Sequence, residues 1–298
     1  MTKRRLIGGI DAGGTTFKLG VADSSGALLE KARVPTTSPE ETIKAAAASL
    51  TKVAHAAGGE IVALGVASFG PVDVDPASLN YGRLLRTPKA GWSGAPLRQA
   101  LSAALGVPVI LDTDVNAALL AEITAGAAQG ADRAAYVTIG TGVGVGVRIN
   151  GEFAGRPFHP ELGHIRVERH LDDAGFEGRC SVHGECLEGL LSAPALVSRY
   201  GELESLPPDH SCWQIAGFYL AQLCLMLSLG WRLERIVLGG GVMNAEALLV
   251  QCRRHYGAFM RDYISGVESD PGELIARAAL GDDAGLTGAV ILAKGIPC

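Results

Sequence analysis

His164, Cys180, His183 and Cys186 are spaced His-x15-Cys-x2-His-x2-Cys, and Glu188 follows two residues after the last of them. Four such donors suit one Zn²⁺ ion, which takes N and S ligands tetrahedrally in structural sites. The tight Cys180/His183/Cys186 spacing lets one short loop supply three ligands. Glu161, in Pro160-Glu-Leu-Gly-His164, stands just ahead of the first. A metal-braced loop would therefore carry a carboxylate with it. The plainer alternative is a loop with scattered cysteines. His159 and His170 flank the stretch and read as solvated loop histidines, either of which could serve as a ligand instead.

Three glycine turns could handle phosphate. Asp11-Ala-Gly13-Gly14-Thr15-Thr16 offers unobstructed backbone N–H groups, two hydroxyls and a carboxylate able to hold Mg²⁺ through retained waters. Gly140-Thr141-Gly142 repeats the pattern without the acid, and Gly239-Gly240-Gly241 would let a flat ring or ribose lie on the backbone. Each is also ordinary turn chemistry. Asp112-Thr113-Asp114 ends a strand and opens a helix. Asp and Thr are favoured helix caps, while a carboxylate at such a point could also accept a proton from a hydroxyl in phosphoryl transfer. Both roles fit together if Asp112 or Thr113 caps and Asp114 works.

The elements that must position these groups alternate. Strands are expected at 6–10 and 17–22 around the first turn, and at 136–139 and 143–149 around the second. Extended segments on both sides make each turn a hairpin, not a Walker or Rossmann loop leading into a helix. Between and after them the pattern predicts helices at 39–57, 97–105, 115–125, 194–200, 213–230 and 284–294, with strands at 61–67, 107–111 and 235–238. Two glycine hairpins in an α/β chain imply a duplicated architecture with a cleft between two sheets.

Composition limits the rest. The chain has 298 residues, enough for two cores, with 48% hydrophobic residues and 40 glycines. A net charge of −5 gives no electrostatic footprint for nucleic acid. No uninterrupted apolar run approaches the roughly 18–20 residues of a membrane span, and the run after the basic Met1-Thr2-Lys3-Arg4-Arg5 is too short for a signal-peptide core. Cys212, Cys224, Cys252 and Cys298 form no disulfide-like framework, so a reducing cytoplasm is expected. His55, His210 and His255 read as surface residues, and Lys89 and Trp92 as a surface lysine and a packed tryptophan or as walls of a sugar site.

In order along the chain, these residues resemble the ROK family of sugar kinases and related repressors, within the actin/hexokinase/Hsp70 ATPase superfamily. The resemblance rests on Gly9-Ile-Asp11-Ala-Gly-Gly-Thr-Thr16, Thr113-Asp-Val-Asn-Ala-Ala118, Gly140-Thr-Gly-Val-Gly144, Pro160-Glu-Leu-Gly-His164, Cys186-Leu-Glu188, Leu238-Gly-Gly-Gly241 and Leu280-Gly-Asp-Asp-Ala-Gly-Leu-Thr-Gly-Ala289. His183 in place of a third cysteine, Thr113 before the acid, Thr87-Pro-Lys-x-Gly91-Trp92 and Glu188-Gly-Leu-Leu-Ser-Ala-Pro194 resemble the zinc-containing bacterial fructokinase branch. Ala193 stands where that branch usually has glycine.

The resemblance implies an actin/hexokinase-like (ribonuclease H-like) duplicated α/β fold with a central nucleotide/sugar cleft. Its domains would be 1–115 with 283–298, and 116–282. It implies MgATP on Asp11, Gly13, Gly14, Thr15, Thr16, Gly140, Thr141, Gly142, Gly240 and Gly241. Sugar contacts would come from Gly70, Thr113, Asp114, Glu161, His164 and Glu188, with Asp114 as catalytic base. His164, Cys180, His183 and Cys186 would hold a structural Zn²⁺. The implied reaction is phosphorylation of D-fructose at O6 by ATP in a cytoplasmic homodimer. Another hexose kinase, for glucose, mannose or an N-acylmannosamine, or a non-catalytic sugar-binding regulator, are the alternatives. No helix-turn-helix precedes residue 6, and neither nucleic acid nor membrane is an expected partner.

Overall fold

Asp11 and Lys18 face each other across the first hairpin, and that register sets the first sheet. Arg4–Ala12 (β1) pairs antiparallel with Thr16–Ala22 (β2), which pairs antiparallel with Leu28–Pro35 (β3). Gly59–Ser68 (β4) runs parallel to β1, and Val109–Thr113 (β5) parallel to β4, giving the order β3-β2-β1-β4-β5. The computed structural model describes residues 4–87 and 89–296, so Met1-Thr2-Lys3, Pro88 of the Thr-Pro-Lys motif and Cys298 lie outside the described residues.

The second hairpin builds the same sheet again. Arg133–Ile139 (β6) pairs antiparallel with Val143–Ile149 (β7), and β7 with the short Glu152–Phe153 (β8). Arg235–Gly239 (β9) lies parallel to β6, and Ile275–Arg277 (β10) parallel to β9. Both sheets therefore have three antiparallel strands followed by two parallel ones. The expected duplication is a duplication of strand topology.

Helices follow from capping and patterning. Pro39–Ala56 (α1) starts with Ser38 accepting from the Glu41 N–H and Pro39 in the first turn. Leu97–Leu105 (α2) stops at Gly106, in the left-handed region at φ 68°. Asp114–Ala125 (α3) begins directly where β5 ends. Leu187–Leu191 (α4), Ala193–Tyr200 (α5), Ser211–Trp231 (α6), Glu246–Met260 (α7) and Pro271–Leu274 (α8) follow in the second half, and Ala284–Lys294 (α9) returns to the first sheet. By packing, one compact unit comprises the chain up to Ala121, Gly155–His159 and the chain from Asp282 onward; the other comprises Glu122–Ala154 and Pro160–Gly281.

Each unit has its own core. In the first, Phe17, Leu19, Leu64 and Trp92 are fully buried, and α9 lies so close to β4 that a Cβ on Gly65 would fall 1.7 Å from the Ala289 carbonyl oxygen. In the second, α6 packs mainly against α7, and its buried Ile215, Tyr219, Leu220 and Leu223 belong to one core cluster with residues of β6, β7 and β9. By length and composition α6 could cross a membrane, a property the count of uninterrupted apolar residues passed over. Most of it is core, which explains its all-round apolarity.

Two elements of substance were not anticipated. β3 is an edge strand whose outward Glu30, Lys31 and Arg33 break the alternation. In α7 the buried Leu248, Cys252, Tyr256 and Met260 recur every four residues, a helical signal diluted by Gly257 and a charged outer face.

Candidate functional site

In the first unit, three parallel strands end side by side, and the predicted acids sit on those ends. Asp11 pairs across to Ala67 on β4, Ala67 to Asp112 on β5, and Ser68 to Thr113. Gly70 follows β4, and Asp114 opens α3. Open α/β sheets bind ligands beyond the carboxyl ends of their strands, so the topology gathers Asp11, Gly70, Thr113 and Asp114 where a ligand is expected.

The β1–β2 turn is shaped by its glycines. The Gly13 N–H donates to the Thr16 carbonyl at 3.2 Å, and a Cβ on Gly13 would lie 2.8 Å from that oxygen. Thr36 ties the turn down by donating its hydroxyl to the Gly13 carbonyl at 2.8 Å and its N–H to that of Thr15 at 2.9 Å. Gly14 and Thr15 form the open tip, with free space around a Cβ at Gly14. Beneath it lies the Asp11 carboxylate, 3.5 Å from Lys18 Nζ and roofed by Gly285 at the start of α9. Burial raises the Asp11 carboxyl above its usual range, while Lys18 draws it back. A largely enclosed, incompletely neutralised carboxylate at the foot of a turn that carries Thr15 and Thr16 is a donor set suited to a hard cation that keeps its waters, so the residues present fit Mg²⁺.

Asp114 is held by a knot at the start of α3. Thr113 is the cap: its Oγ1 accepts from the Asn116 N–H at 3.2 Å. Asp112 is 3% exposed, and its Oδ1 accepts from Thr113 N at 2.7 Å and from Asn116 Nδ2 at 2.8 Å. Asp114 is partly exposed, with Oδ1 taking the Val115 N–H at 2.8 Å. Its position in the first turn of α3 favours the ionised form.

The second unit collects the other glycine turns. β6 leads into Gly140, whose N–H donates to the Gly142 carbonyl at 2.9 Å; Ala193 N donates to the Gly140 carbonyl at 2.7 Å. On the neighbouring β9 end, Gly240 has φ 88°, and a Cβ there would lie 2.4 Å from the Ile139 carbonyl oxygen. Only glycine meets both demands. The exposed Thr141, Gly240 and Gly241 are thus brought to adjacent strand ends. Glu188, at the start of α4, turns to the same place: its Oε2 accepts the Val143 N–H at 3.0 Å. The Glu161–His164 turn closes with His164 N on the Glu161 carbonyl at 3.0 Å, and Gly163 packs on Val143 so tightly that a Cβ would fall 1.9 Å from its carbonyl.

The four candidate metal ligands converge. One donor atom from each of His164, Cys180, His183 and Cys186 lies within 4.8 Å of the other three. His164 Nδ1 is 3.5 Å from Cys186 Sγ and 3.7 Å from Cys180 Sγ, and His183 Nδ1 is 3.8 Å from Cys180 Sγ. Around Zn²⁺, N···S edges of a tetrahedron measure roughly 3.6 Å, so the residues fit that ion. Burial, with Cys180 alongside, pushes the Cys186 thiol up to about 11, so a cation is needed to hold it as thiolate.

Other histidines depart from the sequence reading. His159 is half-buried against Gly70, its Nε2 accepting from Val72 N at 3.4 Å, and His170 accepts from Asp172 N at 3.2 Å while packing edge-on to Phe218. Neither joins the metal cluster. His210 and His255 are half-buried rather than fully exposed: His210 Nδ1 caps α6 by accepting from Cys212 N, and His255 packs among Phe218 and Phe259 with its Nε2 buried. One serves a helix end and the other aromatic packing, roles that the surface reading did not include. His55 is exposed as expected. Trp92 is fully buried and donates to the Thr37 carbonyl, and Lys89 reaches the Thr36 carbonyl at 3.4 Å. Cys180, Cys186, Cys212, Cys224 and Cys252 are free thiols. Lys18 beside Asp11 and Arg156 on Asp112 were missed. Lys18 could have been found from the hairpin register, whereas Arg156 left no signal.

Residues 7–296 match the ROK family. A fructokinase of Zymomonas mobilis is 39% identical over 293 residues, covering 97% of this chain and 97% of the relative. A fructokinase of Pediococcus pentosaceus is 37% identical over 293 residues, covering 97% of this chain and 98% of the relative. Among solved structures, a ROK hexokinase from Thermus thermophilus superposes with a TM-score of 0.75 at 31% identity, covering 97% of both chains. A match of this extent spans every motif described above, and the chain belongs to the ROK family.

Proposed function

We propose that the protein is an ATP-dependent fructokinase that converts D-fructose to fructose 6-phosphate. The observation that carries this reading is the near-full-length identity to two fructokinases, 39% and 37%. The arrangement at the strand ends supports it, because phosphoryl transfer needs positioning and charge neutralisation more than covalent chemistry.

In this reading Asp114 accepts the proton of the sugar O6–H as that oxygen bonds to the γ-phosphorus. The bond between the γ-phosphorus and the bridging oxygen breaks, and ADP leaves with the electron pair. Gly13 to Thr16, Gly140 to Gly142, Gly240 and Gly241 receive the nucleotide through their backbone N–H groups, with Asp11 toward Mg²⁺. That ion, when bound, neutralises phosphate charge. Gly70, Thr113, Glu161, His164 and Glu188 hold the sugar hydroxyls. Zn²⁺ on His164, Cys180, His183 and Cys186 fixes the substrate loop; with Nδ1 of His164 turned to the sulfurs, its Nε2 is the nitrogen left for a hydroxyl. A division of the chain near residues 115 and 283, a cytoplasmic location and a homodimer belong to the same reading.

The test is ADP release from MgATP with fructose, glucose, mannose and N-acetylmannosamine, with zinc measured on the same sample. Preference for fructose is expected. Preference for another hexose retains the kinase and overturns the sugar assignment; absence of turnover on all four overturns the enzyme reading in favour of a sugar-binding regulator.

A further inference from the structure

Arg156 comes to Asp112 from a stretch that looks like plain loop. Gly155–His159 packs as part of the first unit, although the chain on either side of it belongs to the second. Two side chains fasten it there. Arg156 Nη2 donates to Asp112 Oδ2 while Nη1 donates to the Val74 carbonyl at 3.0 Å, and His159 takes the Val72 N–H. The next two residues are Pro160 and Glu161.

Asp112 is a carboxylate with 4% of its side chain exposed. A charge withdrawn from water needs hydrogen-bond donors and a countercharge. Thr113 N and Asn116 Nδ2 fill one oxygen, and Arg156 supplies the positive charge at the other. The same carboxylate thereby fixes the residue before Asp114 and the third residue of α3.

We propose that Arg156 is a positioning residue for phosphoryl transfer, acting through Asp112 on the base Asp114. This rests on reading Asp114 as the base of a hexose kinase. Paired with Arg156, the Asp112 carboxylate keeps both of its Oδ1 donors, so the Thr113–Asp114 turn has one conformation. Without Arg156, a carboxylate withdrawn from water lacks its countercharge and turns toward other donors, loosening its hold on Thr113 and Asn116. That change displaces the Asp114 carboxylate, and a displacement of about 1 Å costs on the order of a hundredfold in rate.

The experiment compares R156M, D112N and the double variant D112N/R156M in steady-state turnover, with zinc content and KM for MgATP measured on each. R156M is expected to lower kcat by about thirtyfold, with KM for MgATP and zinc content within about twofold of wild type. The double variant, which buries no unpaired charge, is expected to regain most of that loss. A kcat for R156M within about threefold of wild type overturns the proposal, as does a double variant no faster than R156M. Should R156M fail to fold, the double variant decides alone: kcat above about a tenth of wild type supports the charge pairing, and anything lower overturns it. Wild-type protein without turnover on any hexose overturns the kinase reading and this proposal together; active wild type with an unaffected R156M overturns only the latter.

Discussion

Glu188 and Val143 are joined by a hydrogen bond of 3.0 Å, from the backbone N–H of Val143 to Glu188 Oε2. One carboxylate read as a sugar ligand is thereby tied to the strand that leaves the Gly140–Gly142 turn, proposed to receive phosphate. Gly142 completes the relationship, since a Cβ there would stand 2.6 Å from the same oxygen. The obstructing atom is the end of a flexible side chain, so an added methyl moves the carboxylate and spares the backbone. Gly142→Ala is expected to raise KM for fructose by roughly tenfold, with Tm within a few degrees of wild type. Glu188→Ala removes the contact from both sides and is expected to raise KM for fructose and for MgATP together. An unchanged fructose KM in both variants removes Glu188 from the sugar site.

Asp114→Asn keeps the shape of the helix start and its contact with Val115 N while deleting the proton acceptor. Turnover is expected to fall by about a hundred- to ten-thousandfold, with fructose binding by calorimetry within a few-fold of wild type. Normal turnover in this variant would falsify the base assignment.

Metal analysis of the purified chain is expected to give about one zinc per chain, as a four-ligand structural site requires. Cys180→Ser should lose the ion and lower Tm, because zinc binding energy is folding energy for the loop it closes. His183→Cys keeps four N/S ligands and should retain it. Full zinc content in Cys180→Ser shows that the ion sits elsewhere.

Gly65 and Gly14 separate packing from function. A methyl at Gly65 meets the Ala289 carbonyl oxygen at 1.7 Å, backbone against backbone, so β4 and α9 must move apart. Gly65→Ala is expected to cost about 3 kcal/mol or more, a drop in Tm of roughly 6–12 °C. Gly14→Ala meets nothing within 4 Å and should leave Tm unchanged while raising KM for MgATP. Thermal melts and nucleotide titrations on the pair read the two effects independently.

Acid stability depends on Glu268. Burial raises its carboxyl, but the Arg232 guanidinium, with Nε at 2.7 Å, outweighs this and leaves it below its ordinary value of 4.5. The folded state then holds the proton less tightly than the unfolded chain. The pairing stabilises fully above 4.5, and the contribution disappears as pH falls through the lowered folded value. Glu268→Gln is expected to lower Tm at pH 7 by an amount that shrinks as the pH falls through the lowered folded value. Parallel melting curves across that range would rule out the Arg232 pairing as the cause.

Much of the site was readable because its chemistry is local. The Asp11–Thr16 turn, the Cys180/His183/Cys186 spacing and the Gly140 and Gly240 turns each need residue types fixed at short separations, and the structure has those turns where the spacing put them. Local patterning also gave α2, β7 and α9 their full extents. β3 and α7 were not legible in the same way, since charged outer faces masked the periodicity of their buried sides. Of the histidines, His210 caps α6 through Cys212, only two residues on, so its role was local, whereas the packing of His255 on Phe218 depends on a neighbour distant in the chain.

The sequence alone therefore determined the hairpins, their glycines, the convergent His/Cys set that could hold a metal and the acid at the start of α3, each a matter of backbone sterics or residue spacing over short stretches of chain. Tertiary structure decided the partners. Parallel pairing of β1, β4 and β5 put Asp11 in line with Asp112, hairpin register set Lys18 beside Asp11, and folding carried Arg156 to a carboxylate 44 positions away. No spacing rule encodes such contacts, because a buried charge selects its countercharge by proximity in space, and only the packed chain defines that proximity.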